Sequence, residues 1–356
     1  MRYSEALAGL GPISAGYLPP APGQVKLNQN ESPFDMAPED RAALAEALCA
    51  VSLRRYPDPR SRALTAVIAD AAGVAPDMVL PGNGANELIE LLIRATCDAG
   101  DQVLTVGPTY HLYDRFAALN RAELVKVAWG EDFAFPRAEL RGRIGPRARL
   151  LLLCRPNNPT GHLWPSRDVL DLADGFPGMV VVDEAYYDFC RDTVAPFVGG
   201  RGNLVVVRTL SKAYGAAGLR LGYLLGPADV VRAVRGLQMP YGLNAFSQEA
   251  ARFLLSRPDL VERRRAAILA YREDLALRLE PIPGVTAYPS AANFLLIRTD
   301  FSADALDRHL QGADIFVRNL RWDDRHLRIS VGTPADHARL AAAMRAFASP
   351  GPAASA

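Results

Sequence analysis

The sequence predicts an α/β protein: a three-layer sandwich on a mostly parallel sheet, followed by a smaller α+β unit. Three observations carry this reading. Short, nearly uninterrupted apolar runs rich in Val and Leu recur through the middle of the chain. Stretches with helical spacing lie between some of them. The texture then changes after Pro258, where a long helical segment precedes a second set of strands and helices. Strands that are apolar on both faces need a helical layer on each side, which is why the runs imply a covered parallel sheet.

The strands expected in the first unit are residues 101–106, 123–128, 149–154, 178–183, 203–208 and 219–225. Leu88, Leu91, Leu92 and Ala95 stand at i, i+3, i+4 and i+7 and mark one face of a helix opening near Ala85. Residues 166–174 and 228–238 read as further helices, the second stopped by Pro240. The second unit begins with a helix over 259–280, ended by Pro281 and Gly284. A strand at 292–298, a helix at 303–311 and strands at 314–317 and 326–331 follow. A last helix starts at Thr333, with Pro334 and Asp336 in capping-box positions. The expected division is an N-terminal arm with part of the small domain at 1–45, a large domain at 46–240 and a C-terminal small domain at 241–356.

Composition narrows the function classes. Forty basic side chains face thirty-nine acidic ones, so a net charge of +1 supplies no field for nucleic acid or anionic lipid. No apolar run approaches the roughly 20 residues of a bilayer span. Residues 1–16 lack a basic head with a long apolar stretch, so no export signal is expected. Four scattered cysteines, Cys49, Cys97, Cys154 and Cys190, form no C-x-x-C, and no H-E-x-x-H is present. A reducing cytoplasm and no metal site are expected. Only three of the basic residues are lysines: Lys26, Lys126 and Lys212. Arginine forms salt bridges at least as well but cannot act as an amine nucleophile, so each lysine raises the question of what an amine does there.

Ligands of parallel α/β sheets sit at the carboxyl ends of strands. The run ending at Cys154 leads into Arg155-Pro156-Asn157-Asn158-Pro159-Thr160-Gly161. The next ends in Asp183-Glu184-Ala185-Tyr186, and a third in Thr209-Leu210-Ser211-Lys212. Gly82-Asn83-Gly84-Ala85-Asn86-Glu87 opens the amphipathic helix and makes an anion cradle from its backbone amides. It departs from the dinucleotide fingerprint, because Glu87 stands where a third glycine is needed.

Alone, each segment has an ordinary structural explanation as a turn or a cap. Together they match the needs of pyridoxal phosphate: an amine for its aldehyde, a carboxylate for its ring nitrogen, donors for its phenolate and a cup for its phosphate. Lys212 is the expected amine and Asp183 the carboxylate, with Asn158 and Tyr186 at the phenolate. Gly84, Ala85, Asn86, Thr209, Ser211 and Arg220 form the expected phosphate cup. Lys212, Asp183 and Tyr186 are the expected catalytic set, Lys212 removing the Cα proton of an amino donor.

The chain resembles the fold-type I pyridoxal-phosphate aminotransferases, and within them the histidinol-phosphate branch. The resemblance runs from Lys26-Leu27-Asn28-Gln29-Asn30-Glu31 to Arg328-Ile329-Ser330-Val331-Gly332. It includes Arg55-Tyr56-Pro57-Asp58, Pro108-Thr109-Tyr110, the Pro156–Gly161 stretch, and Ser211-Lys212 with Arg220 eight residues on. It implies that Tyr110 stacks on the cofactor ring and that Tyr56 reaches the cofactor phosphate of a neighbouring subunit, in a homodimer with shared sites. It also implies anion binding by Arg328 and Arg318, and a substrate pocket lined by Tyr17, Asn30, Tyr241 and Asn244. The implied reaction is transamination of histidinol phosphate with 2-oxoglutarate in histidine biosynthesis.

Ser32, Asn86 and the bland Gly215-Ala216-Ala217-Gly218 depart from the usual pattern and bear on the substrate. Threonine-phosphate decarboxylase and aromatic amino-acid aminotransferase remain alternatives on the same fold. A cofactor-sensing regulator is a more distant one, because it needs a DNA-binding module and only about forty unpatterned residues precede the main unit.

Overall fold

The computed structural model describes residues 20–130 and 133–348. Among these, twelve strands form two sheets. The strands are β1 (Val25–Leu27), β2 (Val79–Gly82), β3 (Gln102–Gly107), β4 (Glu123–Ala128), β5 (Ala148–Cys154) and β6 (Met179–Asp183), then β7 (Leu204–Thr209), β8 (Gly222–Leu225), β9 (Val285–Ala287), β10 (Phe294–Thr299), β11 (Ile315–Asn319) and β12 (His326–Ser330). The large sheet has the order β2-β8-β7-β6-β5-β3-β4. Its strands β3 to β7 are mutually parallel, and only β8 runs against its neighbours β7 and β2.

The near-continuous apolar runs have the expected cause. Side chains alternate across a strand. Leu150, Leu152 and Cys154 therefore face one helical layer with Val181, Val205 and Val207. Leu151 and Leu153 face the opposite layer with Val180, Val182 and Val206. Helices Ala85–Thr96 and Ala228–Arg235 cover the first face, and Arg62–Ala72 and Ser166–Gly175 the second.

The small sheet has the order β1-β11-β12-β10-β9. Its β1 comes from the N-terminal segment and pairs in parallel with β11, Val25 opposite Ile315. Residues 25–27 are thereby laced to the C-terminal unit beside the large one. Helix Pro258–Leu279 ties the units lengthwise. Its Leu260 lies in the large core, Val261 and Ile268 in a cluster between the units, and Leu275 and Leu279 in the small core. The last helix, Pro334–Ala348, starts with the expected reciprocal cap. Asp336 N donates to Thr333 Oγ1 at 3.2 Å, and Thr333 N to Asp336 Oδ2 at 2.9 Å.

Three expectations change. The strand expected at 219–225 begins only at Gly222, because a 3-10 turn at Ala217–Leu219 and Arg220 at φ +51° precede it. The helix Ala245–Leu255 lies past the boundary expected at 240, yet its Ala251, Leu254 and Leu255 enter the core of the large unit. Asn244 caps that helix. Its side chain accepts from Ser247 N at 2.8 Å and donates to Ser247 Oγ at 2.9 Å. This asparagine was expected in a substrate pocket; its amide is committed to the helix end instead, and it does not line the main cavity.

Asn244→Ala is expected to lower stability by about 1 kcal/mol, the usual worth of a cap, without altering ligand affinity in that cavity. Urea unfolding and ligand titration of the variant check both halves.

Candidate active site

Strand register builds the site. Cys154 lies opposite Asp183, and Asp183 opposite Val207, so β5, β6 and β7 end at one level. On the far side of β7, Thr209 lies opposite Gly222 of β8, and Gly222 opposite Gly82 of β2. The turn after β2 therefore arrives beside the segment after β7.

A cavity of about 910 Å³ opens at this level, between the units. At one end Ala85 and Asn86 begin their helix, with Thr209, Ser211 and Arg220 around them. Arg220 Nη1 donates to Ser211 Oγ at 3.4 Å and to Ala217 O at 3.0 Å. Thr209 Oγ1 accepts from Ser211 N at 3.1 Å. Gly84 holds φ +86° behind this end, and a Cβ there would lie 2.9 Å from Arg220 Nη2. A Cβ on Gly222 would lie 2.6 Å from Ala85 N, so both glycines permit the close approach that forms the cup. Glu87 braces the turn, accepting from Asn83 N at 2.7 Å and Asn83 Nδ2 at 3.1 Å. The residue that spoils the dinucleotide fingerprint thus holds the loop that presents the amides.

In the middle of the cavity, Asp183 is buried. Its Oδ2 accepts from Tyr113 OH at 2.7 Å and its Oδ1 from Ala185 N at 3.0 Å. Burial pushes its carboxyl up to about 6, against the pull of those two donors. Lys212 Nζ donates to the carbonyl of Gln29 at 3.0 Å. Burial, with the nearby Arg328 charge adding to it, brings this amine down to about 8. Tyr186 OH accepts from Asn30 Nδ2 at 2.9 Å and Asn158 Nδ2 at 3.2 Å, and burial raises the proton affinity of this phenol.

The small unit supplies the cations. Arg328 and Arg318 are paired across β12 and β11, and both line the cavity. Arg328 is buried; its Nη1 donates to Asn158 Oδ1 at 2.7 Å and its Nη2 to Asn28 O at 2.6 Å. One guanidinium thus links the N-terminal segment, the Asn158 turn and the small sheet.

Most of the expected site converges here: Lys212, Asp183, Tyr186, Tyr110, Asn158 and Asn30 share the cavity with Ala85, Asn86, Thr209, Ser211, Arg220, Arg318 and Arg328, while Gly84 stands behind the cup and does not line it. Tyr56 and Tyr241 do not line it. They stack on each other at the surface, ring centroids 4.6 Å apart. Tyr17 lies outside the described residues. Sequence reasoning missed Tyr113 and the Gln29 carbonyl. It also missed the wall formed by His111, Asp114 and Arg115, although their position just past Tyr110 was a usable signal.

The donor set fits pyridoxal phosphate. A cup of backbone amides and Arg220 suits its phosphate, a buried carboxylate suits its ring nitrogen, and an amine of lowered proton affinity suits its aldehyde.

Residues 22–344 match the sequence profile of the family described as aminotransferase class I and II. The chain belongs to that family. It is 35% identical over 318 residues to a histidinol-phosphate aminotransferase of Caldanaerobacter subterraneus subsp. tengcongensis, covering 88% of this chain and 90% of the relative. It is 38% identical over 339 residues to histidinol-phosphate aminotransferase 2 of Burkholderia pseudomallei, covering 93% and 94%. The crystal structure of histidinol-phosphate aminotransferase from Sinorhizobium meliloti in complex with pyridoxal-5'-phosphate superposes with a TM-score of 0.87 at 26% identity, covering 97% of each chain.

With the cofactor removed, the rate at which Lys212 attaches to added pyridoxal phosphate is expected to rise with pH and level off above about 8. The deprotonated amine is the nucleophile, and burial makes it available well below an ordinary lysine's range. Stopped-flow absorbance across pH 6 to 11 checks this; a limb still rising at about 10.4 would mean an unshifted lysine.

Proposed function

We propose that this chain transfers the amino group of histidinol phosphate to 2-oxoglutarate, giving imidazole acetol phosphate and glutamate in histidine biosynthesis, with pyridoxal phosphate as cofactor. The observation that carries the reading is the pair Arg318 and Arg328 on the wall of the cavity that holds Lys212 and Asp183. Two guanidiniums within one pocket suit a donor's phosphate and, in turn, an acceptor's carboxylates. The names of the two relatives above support the same donor.

When bound, the cofactor supplies an aldehyde for the donor's amine and a ring that accepts the electron pair released at the donor's Cα. The chain does the rest. Lys212 would hold the cofactor through its aldehyde, and its Nζ, when free, would be the base placed for the donor's Cα proton. An amine brought down to about 8 suits that work, because a far larger fraction is unprotonated than for an ordinary lysine while it stays basic. Asp183 would hold a negative charge against the ring nitrogen and so favour the protonated, electron-accepting ring. Asn158 and Tyr186 would orient the ring from its phenolate side, and Tyr110 would cover one face.

The reading includes a homodimer in the cytoplasm. Leu53, Tyr56 and Met239 are 81%, 81% and 78% exposed, an apolar surface suited to a second copy. Tyr56 would there reach the neighbouring cofactor's phosphate. Among the described residues no helix is long and apolar enough to cross a membrane, and the four cysteines are free thiols.

The test is a half-reaction screen. Histidinol phosphate is expected to convert the visible band of the holoenzyme to that of the aminated cofactor, with 2-oxoglutarate reversing the change. Conversion by phenylalanine alone, or carbon dioxide release from threonine phosphate, would overturn the substrate assignment. Lys212→Ala is expected to lose both the borohydride-reducible visible band and turnover. Asp183→Asn is expected to bind cofactor but to lose several orders of magnitude in rate; near-parental turnover in either variant removes that residue from its role.

A further inference from the structure

The carboxylate of Asp183 is not self-supporting. It ends β6 inside a wall of valines and leucines, where an ionised group left without donors reverts to the neutral acid. Among the described residues two donors reach it: the backbone N–H of Ala185 and the hydroxyl of Tyr113. Tyr113 stands near the start of helix Leu112–Leu119, seventy residues earlier in the chain, and has no solvent exposure. A buried phenol needs an acceptor, and this one has a carboxylate oxygen at 2.7 Å. Its ring meets Tyr110 edge-on, with centroids 5.5 Å apart and planes at 89°. Its backbone N donates to Tyr110 O at 3.1 Å.

We propose that Tyr113 is a positioning residue for the transamination: its hydroxyl fixes the Asp183 carboxylate toward the cofactor's ring nitrogen, and its ring braces Tyr110 on the cofactor's face. One buried side chain then sets two boundaries of the slot into which the ring slides. A packing role alone would be filled equally well by phenylalanine, whose shape lacks only the hydroxyl.

Other groups bear on the same carboxylate. The Cys154 thiol at the end of β5 is kept neutral by burial. Glu184, next along the chain, is held by Arg208 through Nε at 3.0 Å and Nη2 at 2.9 Å, and raises the proton affinity of Asp183. Lys212 lowers it. Tyr113 is the one side chain that donates a hydrogen bond to it among the described residues, so loss of the hydroxyl moves Asp183 toward the neutral acid. The acid limb of the rate profile then moves to higher pH.

The inference rests on the cofactor reading above, and the test separates the two. Tyr113→Phe, Asp183→Asn and the double variant are prepared as full-chain holoenzymes and compared with the parent. Tyr113→Phe is expected to weaken pyridoxal phosphate binding and to lower kcat by about tenfold each, the usual worth of a bond to a charged group. Its acid limb is expected to shift upward and KM for the donor to hold within about twofold. The double variant is expected to fall within about twofold of Asp183→Asn alone, because both act through one carboxylate. Tyr113→His, which returns an N–H to the site, is expected to recover part of the cofactor affinity. Unchanged affinity and acid limb in Tyr113→Phe, or additive losses in the double variant without recovery by histidine, overturn the proposal. A parent protein that never forms the visible band would instead overturn the cofactor reading itself.

Discussion

The site depends on keeping one carboxylate charged in the interior of an apolar sheet. Asp183 terminates a strand whose preceding residues, Val180 to Val182, are wholly buried. Desolvation alone favours the neutral acid there, and two hydrogen-bond donors only partly restore the balance. A pyridinium N–H brought to the carboxylate completes it, since an opposite charge at hydrogen-bond distance favours the ionised form of both groups. Carboxylate and ring would thus stabilise each other's charge, the condition under which the ring could draw electrons from a substrate.

Lys212 shows the complementary effect. The same burial that raises Asp183 lowers the lysine, and Arg328 pushes it down further. The two groups are driven toward each other's range, leaving an amine able to accept a proton and a carboxyl near its point of titration. Arg328, which adds to the lowering of the lysine, also lines the wall of the cavity beside Arg318.

Much of this was legible in the sequence because parallel strands bury both faces and deliver chemistry at their ends. The runs before Asn158, Asp183 and Lys212 were readable as strands, and their aligned register follows from parallel pairing. What escaped had physical reasons. The three-residue β1 carries too little pattern to be seen, and its partner is almost three hundred residues away. Tyr113 sits at a helix start whose partner is distant in sequence, so no local period points to Asp183. Asn244 followed a proline in a segment that resembled a pocket wall, but an asparagine just ahead of an amphipathic run is equally a helix cap. Glu87 was readable only as an exception to a glycine pattern, and its hydrogen bonds to Asn83 show what the exception does.

The protonation state of the bound cofactor's ring nitrogen tests the central claim most directly. Holoenzyme loaded with pyridoxal phosphate carrying nitrogen-15 in the ring reports it through the chemical shift of that nucleus. The account predicts a pyridinium shift at pH 7 to 8, held there by ionised Asp183 and lost in Asp183→Asn. A neutral-pyridine shift at that pH would contradict it.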